Sequence, residues 1–211
     1  MKKKSLLIGL SLVILVSLLG VLSYFVFFHK EASKDNNKKE EPTTVEITGY
    51  GITLNDTDTE VYKTEFNNLK ANLESGNIDY NEYAKSIAKL YIIDLYTIEN
   101  KKNKYDVGGL EFIYESAKEN YITNVTDTLY KYVEDNTNQK RNQQLPVVER
   151  INVENIEETN YTIKATNASY KAYKIKLSWE YLTDLGYDKS AEVIVINDNN
   201  KLYVCLLYTS P

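Results

Sequence analysis

The chain has 211 residues, of which 30 are acidic and 25 basic, giving a formal net charge of −5, with one cysteine and one histidine. Without Lys2, Lys3 and Lys4 the balance is 22 basic against 30 acidic residues, a charge of −8 on everything that follows, which disfavours nucleic-acid binding and tight adsorption to anionic lipid. A lone Cys205 closes no intramolecular disulfide, and a lone His29 supplies no Ser-His-Asp triad, Cys-His dyad or histidine-based metal site.

Ser5 to Phe28 is an uncharged run of Leu, Ile, Val, Phe, Gly and Ser. A helix rising ~1.5 Å per residue makes it about 36 Å long, enough to cross a hydrocarbon core of roughly 30 Å with some tilt. The run ends in Tyr24, Phe25, Val26, Phe27 and Phe28, where a cleavable leader needs small residues, so it reads as an uncleaved signal-anchor. Lys30, Lys34, Lys38 and Lys39 balance the three lysines ahead of the run, and long domains translocate largely regardless of charge. The expectation is a cytoplasmic tail at 1–4, a single pass of the cell membrane at 5–28, a polar flexible linker at 29–44 and an extracytoplasmic domain at 45–211.

Within that domain, Val45 to Leu54 with Gly49 and Gly51 makes at most a short strand or an ordered lead-in. Tyr62, Phe66, Leu69 and Leu73 recur at helical spacing between Asp58 and Ser75, and Gly76 supplies the stop. Asp79 with Glu82 three residues on is a capping box, opening a second helix that runs to Ile98 with apolar residues round most of its circumference, which places it inside the domain. Gly108-Gly109 marks a loop, Leu110 to Tyr114 a short strand or irregular chain, and Ser116 with Glu119 a further capping box. The helix expected there buries Tyr121, Val125, Leu129, Tyr132 and Val133.

Beyond Pro146 the period becomes two. Tyr173, Ile175, Leu177, Trp179 and Tyr181 alternate with Lys174, Lys176, Ser178 and Glu180, and Arg150–Ile156, Tyr161–Ala165, Glu192–Ile196 and Lys201 onward supply further strands, with a turn at Asp198-Asn199-Asn200. Helices followed by an antiparallel sheet define an α+β domain.

That order from about Thr57 onward resembles the NTF2-like superfamily, in which a curved sheet wraps helices into a cone. With an anchor and linker in front, the layout is similar to the VirB8-type assembly subunits of conjugation and secretion machines. The anchor, the linker, the missing catalytic residues and this resemblance together lead to an expectation of protein partners in the envelope and no catalysis, with an NTF2-like small-molecule pocket or an isomerase- or dehydratase-type enzyme as the alternative. Separately, Cys205-Leu206-Leu207-Tyr208-Thr209-Ser210-Pro211 resembles the translation of a transposase mosaic-end sequencing adapter, which would end the native chain near Val204. The competing reading is a genuine last strand, because Leu202, Val204 and Leu206 alternate with Tyr203, Cys205 and Leu207.

Candidate chemistry is sparse. No catalytic, cofactor-binding or metal-ligating set stands out. Asp56, Asp58 and Glu60 superficially resemble a calcium loop but lack its central Gly and distal Glu, and read as helix-start residues. The pocket candidates are Asp94, Tyr91 and Trp179. A helical wheel sets Asp94 with Ala84, Ile87, Tyr91 and Ile98, where an unpaired carboxylate would hold its proton as the pocket bases of NTF2-like isomerases do, whereas one bonded to a lysine or tyrosine would be structural. Trp179 falls on the apolar side of its strand, a core position first and a ligand platform second. The 19 tyrosines, with Arg only at Arg141 and Arg150, match the codon bias of an AT-rich genome and need no binding surface to explain them.

Overall fold

The structure, a computed structural model, describes residues 44–164 and 166–209. The expected anchor at 5–28 and nearly all of the linker lie outside the described residues, and no helix among the described ones is long and apolar enough to cross a membrane. The described residues form an α+β domain: a two-stranded hairpin, three α-helices and a four-stranded antiparallel sheet whose strands pair in chain order.

The hairpin joins β1 (Val45–Ile47) to β2 (Ile52–Leu54) and buries Ile47 and Ile52. Helix α1 (Glu60–Leu73) begins at Thr59, whose hydroxyl accepts the Tyr62 N–H at 3.3 Å, and buries Tyr62, Phe66 and Leu69 as its spacing predicts. Helix α2 (Tyr80–Tyr96) is capped by Asp79, whose Oδ1 accepts from the Asn81 and Glu82 amides at 2.9 and 3.1 Å. From Tyr83 to Tyr96 it is buried on nearly all sides because it packs on α1 and touches all four strands of the main sheet.

The third helix departs from the expectation. Residues 115–117 form a 3-10 turn and α3 is Lys118–Asp127, with Ala117 at its N-cap and no side-chain cap, so the Ser116/Glu119 box is not made. The helix also stops early. At Thr128 the backbone leaves helical geometry (φ −119°, ψ −92°), and the next turn swings Tyr130 into the core while leaving Tyr132 78% exposed. Tyr132 is therefore not part of the buried stripe, and Tyr130 takes the place assigned to it.

Strands β3 (Val148–Ile163), β4 (Ala168–Tyr181), β5 (Ser190–Asp198) and β6 (Lys201–Thr209) form one curved meander. The two strands expected over 150–165 are a single long β3. Between Glu154 and Asn160 every residue except Ile156 is exposed, so no alternation marks the strand; what specifies it is continuous pairing from Val148↔Tyr181 to Ile163↔Ala168. Bulges at Glu149 and Glu154 on β3 and beside Val195 on β5–β6 bend the sheet. Asn199 and Asn200 both have positive φ, 51° and 67°, the geometry of a tight hairpin turn. Tyr173, Ile175, Leu177, Trp179 and Tyr181 face the core, with α2 across the concave side. Beyond Val204, β6 stays paired to β5 as far as Ala191↔Thr209.

Between α2 and α3 the chain returns across α2 at Gly108-Gly109. A methyl group on Gly108 would overlap the Asp94 carbonyl, lying 2.7 Å from its carbon, and nothing there can move without bending the helix. Gly108→Ala should therefore cost about 3 kcal/mol, at the upper end of core overpacking, while Gly186→Ala, at φ +79° with open space around it, should cost only about 1 kcal/mol. Denaturant unfolding of the two variants checks the order.

Candidate functional site

Asp94 lies in the last turns of α2, where its helix neighbours Ile93 and Leu95 are buried and its own side chain is 25% exposed. Both carboxylate oxygens are engaged. Oδ1 is ion-paired with the Lys101 ammonium, and Oδ2 accepts the Gly109 N–H at 2.6 Å. The chain from 101 to 109 is thus fastened to the helix at both ends by one side chain. Neighbouring bonds complete the clasp: Tyr121 donates to the Gly108 carbonyl at 2.8 Å, and Tyr130 donates at 2.7 Å to the Leu95 carbonyl, one of the acceptors a helix end leaves over. Burial raises the hydroxyl pKa of Tyr121 and Tyr130 well above the ordinary tyrosine value, so both remain donors.

Arg141 holds the outer side. Its guanidinium donates to the carbonyls of Lys101 at 2.9 Å and Glu99 at 2.6 Å, tying the 134–141 segment to the turn after α2. Its Nε is buried and finds no partner among the described residues.

Asp94 and Lys101 line an open depression of about 790 Å³ together with Asp58 and Glu111. Five carboxylates line it, Asp58, Asp94, Glu99, Asp106 and Glu111, with two lysines, of which Lys101 is buried and Lys102 exposed. Burial raises the pKa of Glu111 first, and the charges of Asp94 and Asp58 add to it, against the lowering effect of the Thr53 hydroxyl and amide; Thr53 N–H reaches Oε2 at 3.0 Å. Asp58 is raised for the same first reason, with Asp94 adding and the Asn55 amide and Lys101 opposing. Asp58 accepts the Asn55 N–H at 2.7 Å, a turn bond ahead of α1. Among the described residues no group of three or more His, Cys, Asp or Glu side chains is arranged to hold a metal ion.

The three residues singled out in the sequence do not share one site. Tyr91 lines a different cavity, about 590 Å³, under α3 and against β6, with Leu95, Tyr121, Val125, Leu129 and Val204 among its walls. Burial pushes the Tyr91 hydroxyl above its usual range, with the Tyr121 hydroxyl opposing. Trp179, 2% exposed, lies in the core against Tyr96, their ring centroids 4.9 Å apart. Among the described residues its indole N–H has no hydrogen-bond partner within bonding geometry; its polar neighbour is the Tyr181 hydroxyl, which donates to the Asp188 carbonyl at 2.6 Å. Lys101, Glu111, Thr53, Tyr130 and Arg141 were not singled out. Of the clasp, the sequence shows only Asp94 itself and the paired glycines, whose close approach their small size permits.

Comparison of the chain with protein-family models, curated proteins and solved structures finds no match.

The raised Glu111 carboxyl sets a sign for stability against pH. Its folded pKa lies above the ordinary value of 4.5, so the folded chain keeps a proton the unfolded chain has lost. The group therefore favours folding below that window and opposes it progressively as pH rises through it. Glu111→Gln should flatten this fall as pH rises above 4.5, measured as unfolding free energy at each pH, relative to the unsubstituted chain.

Proposed function

We propose that this chain is a membrane-anchored extracytoplasmic protein whose α+β domain binds protein partners in the cell envelope and carries out no catalysis. The carrying observation is the state of Asp94. The carboxylate best placed by sequence to serve as a pocket base has one oxygen on Lys101 and the other on the Gly109 amide, and it lines a different depression from Tyr91. These two bonds give Asp94 a structural role, the outcome expected of a carboxylate bonded to a lysine. The uncharged run at 5–28, with its bulky end, supports the tether, and helices packed on a curved antiparallel sheet are compatible with an NTF2-like cone and a VirB8-like assembly role.

The cavity of about 590 Å³ under α3 favours a second reading, a pocket for a small molecule, with Tyr91, Tyr121, Asn120, Asn124 and Asp188 among its polar groups. Cys205, Leu206, Leu207 and Thr209 form part of its wall, and these belong to the heptapeptide that resembles adapter sequence. Sequencing the locus from independent DNA decides whether that wall is native.

The tethered-partner reading is tested on whole cells. Added protease should digest the domain while a fragment carrying residues 1–28 stays with the membrane, and crosslinking before solubilisation should recover a protein partner. A domain shielded from protease, a leader-free chain in the culture fluid, or no crosslinked partner contradicts it.

A further inference from the structure

A third groove, which shares Leu110 and Glu111 with the Asp94 depression and Ile113 with the cavity under α3, opens where three segments meet: the β1–β2 turn with Tyr50 and Gly51, the stretch from Leu110 to Lys118, and the β5–β6 hairpin with Asp198 and Tyr203. It encloses about 710 Å³, and every residue lining it precedes Val204, so it does not depend on the adapter-like ending. Tyr50, Tyr114 and Tyr203 line it, the last two packed edge to face with centroids 5.5 Å apart; half-buried Leu110 adds apolar surface, and Ile113 lies buried at its floor.

Its charges are unevenly matched. Glu115 is paired with Lys118 at 2.8 Å. Glu111 and Asp198 also line the groove, and among the described residues neither has an ion-pair partner; Glu111 is held by Thr53, and Asp198 accepts the Tyr114 hydroxyl at 3.1 Å and the Asn199 amide at 3.0 Å. At the end nearest Tyr50, the Lys201 ammonium lies over the Tyr50 ring, 5.8 Å from its centroid, so this aromatic surface already receives one cation of the chain's own.

We infer that this groove docks an arginine side chain carried on an extended segment of a protein partner. A guanidinium is flat and weakly hydrated, stacks on tyrosine rings and forks onto a carboxylate, whereas an ammonium satisfies only a point contact. The groove is open to solvent rather than closed round a small molecule, and the half-buried Leu110 and Tyr50 give the flanking residues of a peptide something apolar to cover. This assignment rests on the partner-binding reading and specifies the chemistry of the partner.

The test uses the full chain in maltoside micelles, titrated with acetyl-Gly-Arg-Gly-amide and followed by backbone amide NMR. The expected result is saturable shifts at Gly51, Tyr114 and Tyr203. Affinity should fall about fivefold when citrulline replaces arginine, about fivefold in Asp198→Asn, which keeps an acceptor for Tyr114, and steeply between about 50 and 500 mM salt. The citrulline comparison needs no variant, so it reads out even if Asp198→Asn fails to fold. Absence of saturable shifts, equal binding of the citrulline peptide, or unchanged affinity in a folded Asp198→Asn chain overturns the inference. Choline chloride binding at these amides as tightly as the arginine peptide overturns it too, by assigning the groove to small cations. A crosslinked partner recovered from cells alongside any of these failures leaves the partner-binding reading standing and removes only this groove.

Discussion

One carboxylate organises this domain. Asp94 joins the buried helix to the chain that leaves it, taking the Lys101 ammonium on one oxygen and the Gly109 amide on the other. Breaking a largely buried pair by removing one partner typically costs about 3 kcal/mol, because the remaining charge stays out of water. That figure is a large share of the stability of any small domain. The clasp also sets where the chain can go next: with Gly108 against the Asp94 carbonyl and Gly109 against the Tyr91 ring, the segment must lead into Leu110–Tyr114, which lies beside β6 through the Ile113–Val204 bridge.

The surfaces of the domain follow from that route. The strap separates the depression around Asp94 and Lys101 from the cavity beneath α3, and its continuation provides one side of the tyrosine-lined groove. Glu111 belongs to two of these three, which is why its environment combines burial with neighbouring negative charge. Among the described residues, these concavities are open to solvent and are walled by side chains from several elements.

The sequence was most legible where a single face or a complete circumference is buried. The α1 stripe, the Asp79 cap, the all-round apolar α2 and the inward face of β4 each impose a period that survives in the structure. It was misleading where local chemistry competes with tertiary packing. Ser116 and Glu119 have capping-box spacing, yet a 3-10 turn that positions Tyr114 beside Tyr203 and Asp198 replaces the cap. Tyr132 fits a helical stripe that ends at Asp127, before reaching it. The middle of β3, from Glu157 to Asn160, shows no alternation because both of its faces meet solvent, whereas Tyr161 and Ile163 beyond it pack on Ala172, Ile194 and Ile196. For the site, the sequence placed Asp94 in apolar surroundings and left open whether it was a base or a bonded structural group; only the fold brings in Lys101 from seven residues away and Gly109 from fifteen.

The Gly109 amide is the most direct witness to this account. If the Asp94 clasp is integral to the folded core, native-state hydrogen exchange at Gly109 should be as slow as at the buried α2 amides and show the same dependence on denaturant, since both would open only with the whole domain. Fast exchange at Gly109 while α2 remains protected would show a strap that lifts freely from the helix, and the carboxylate would then be available for chemistry after all.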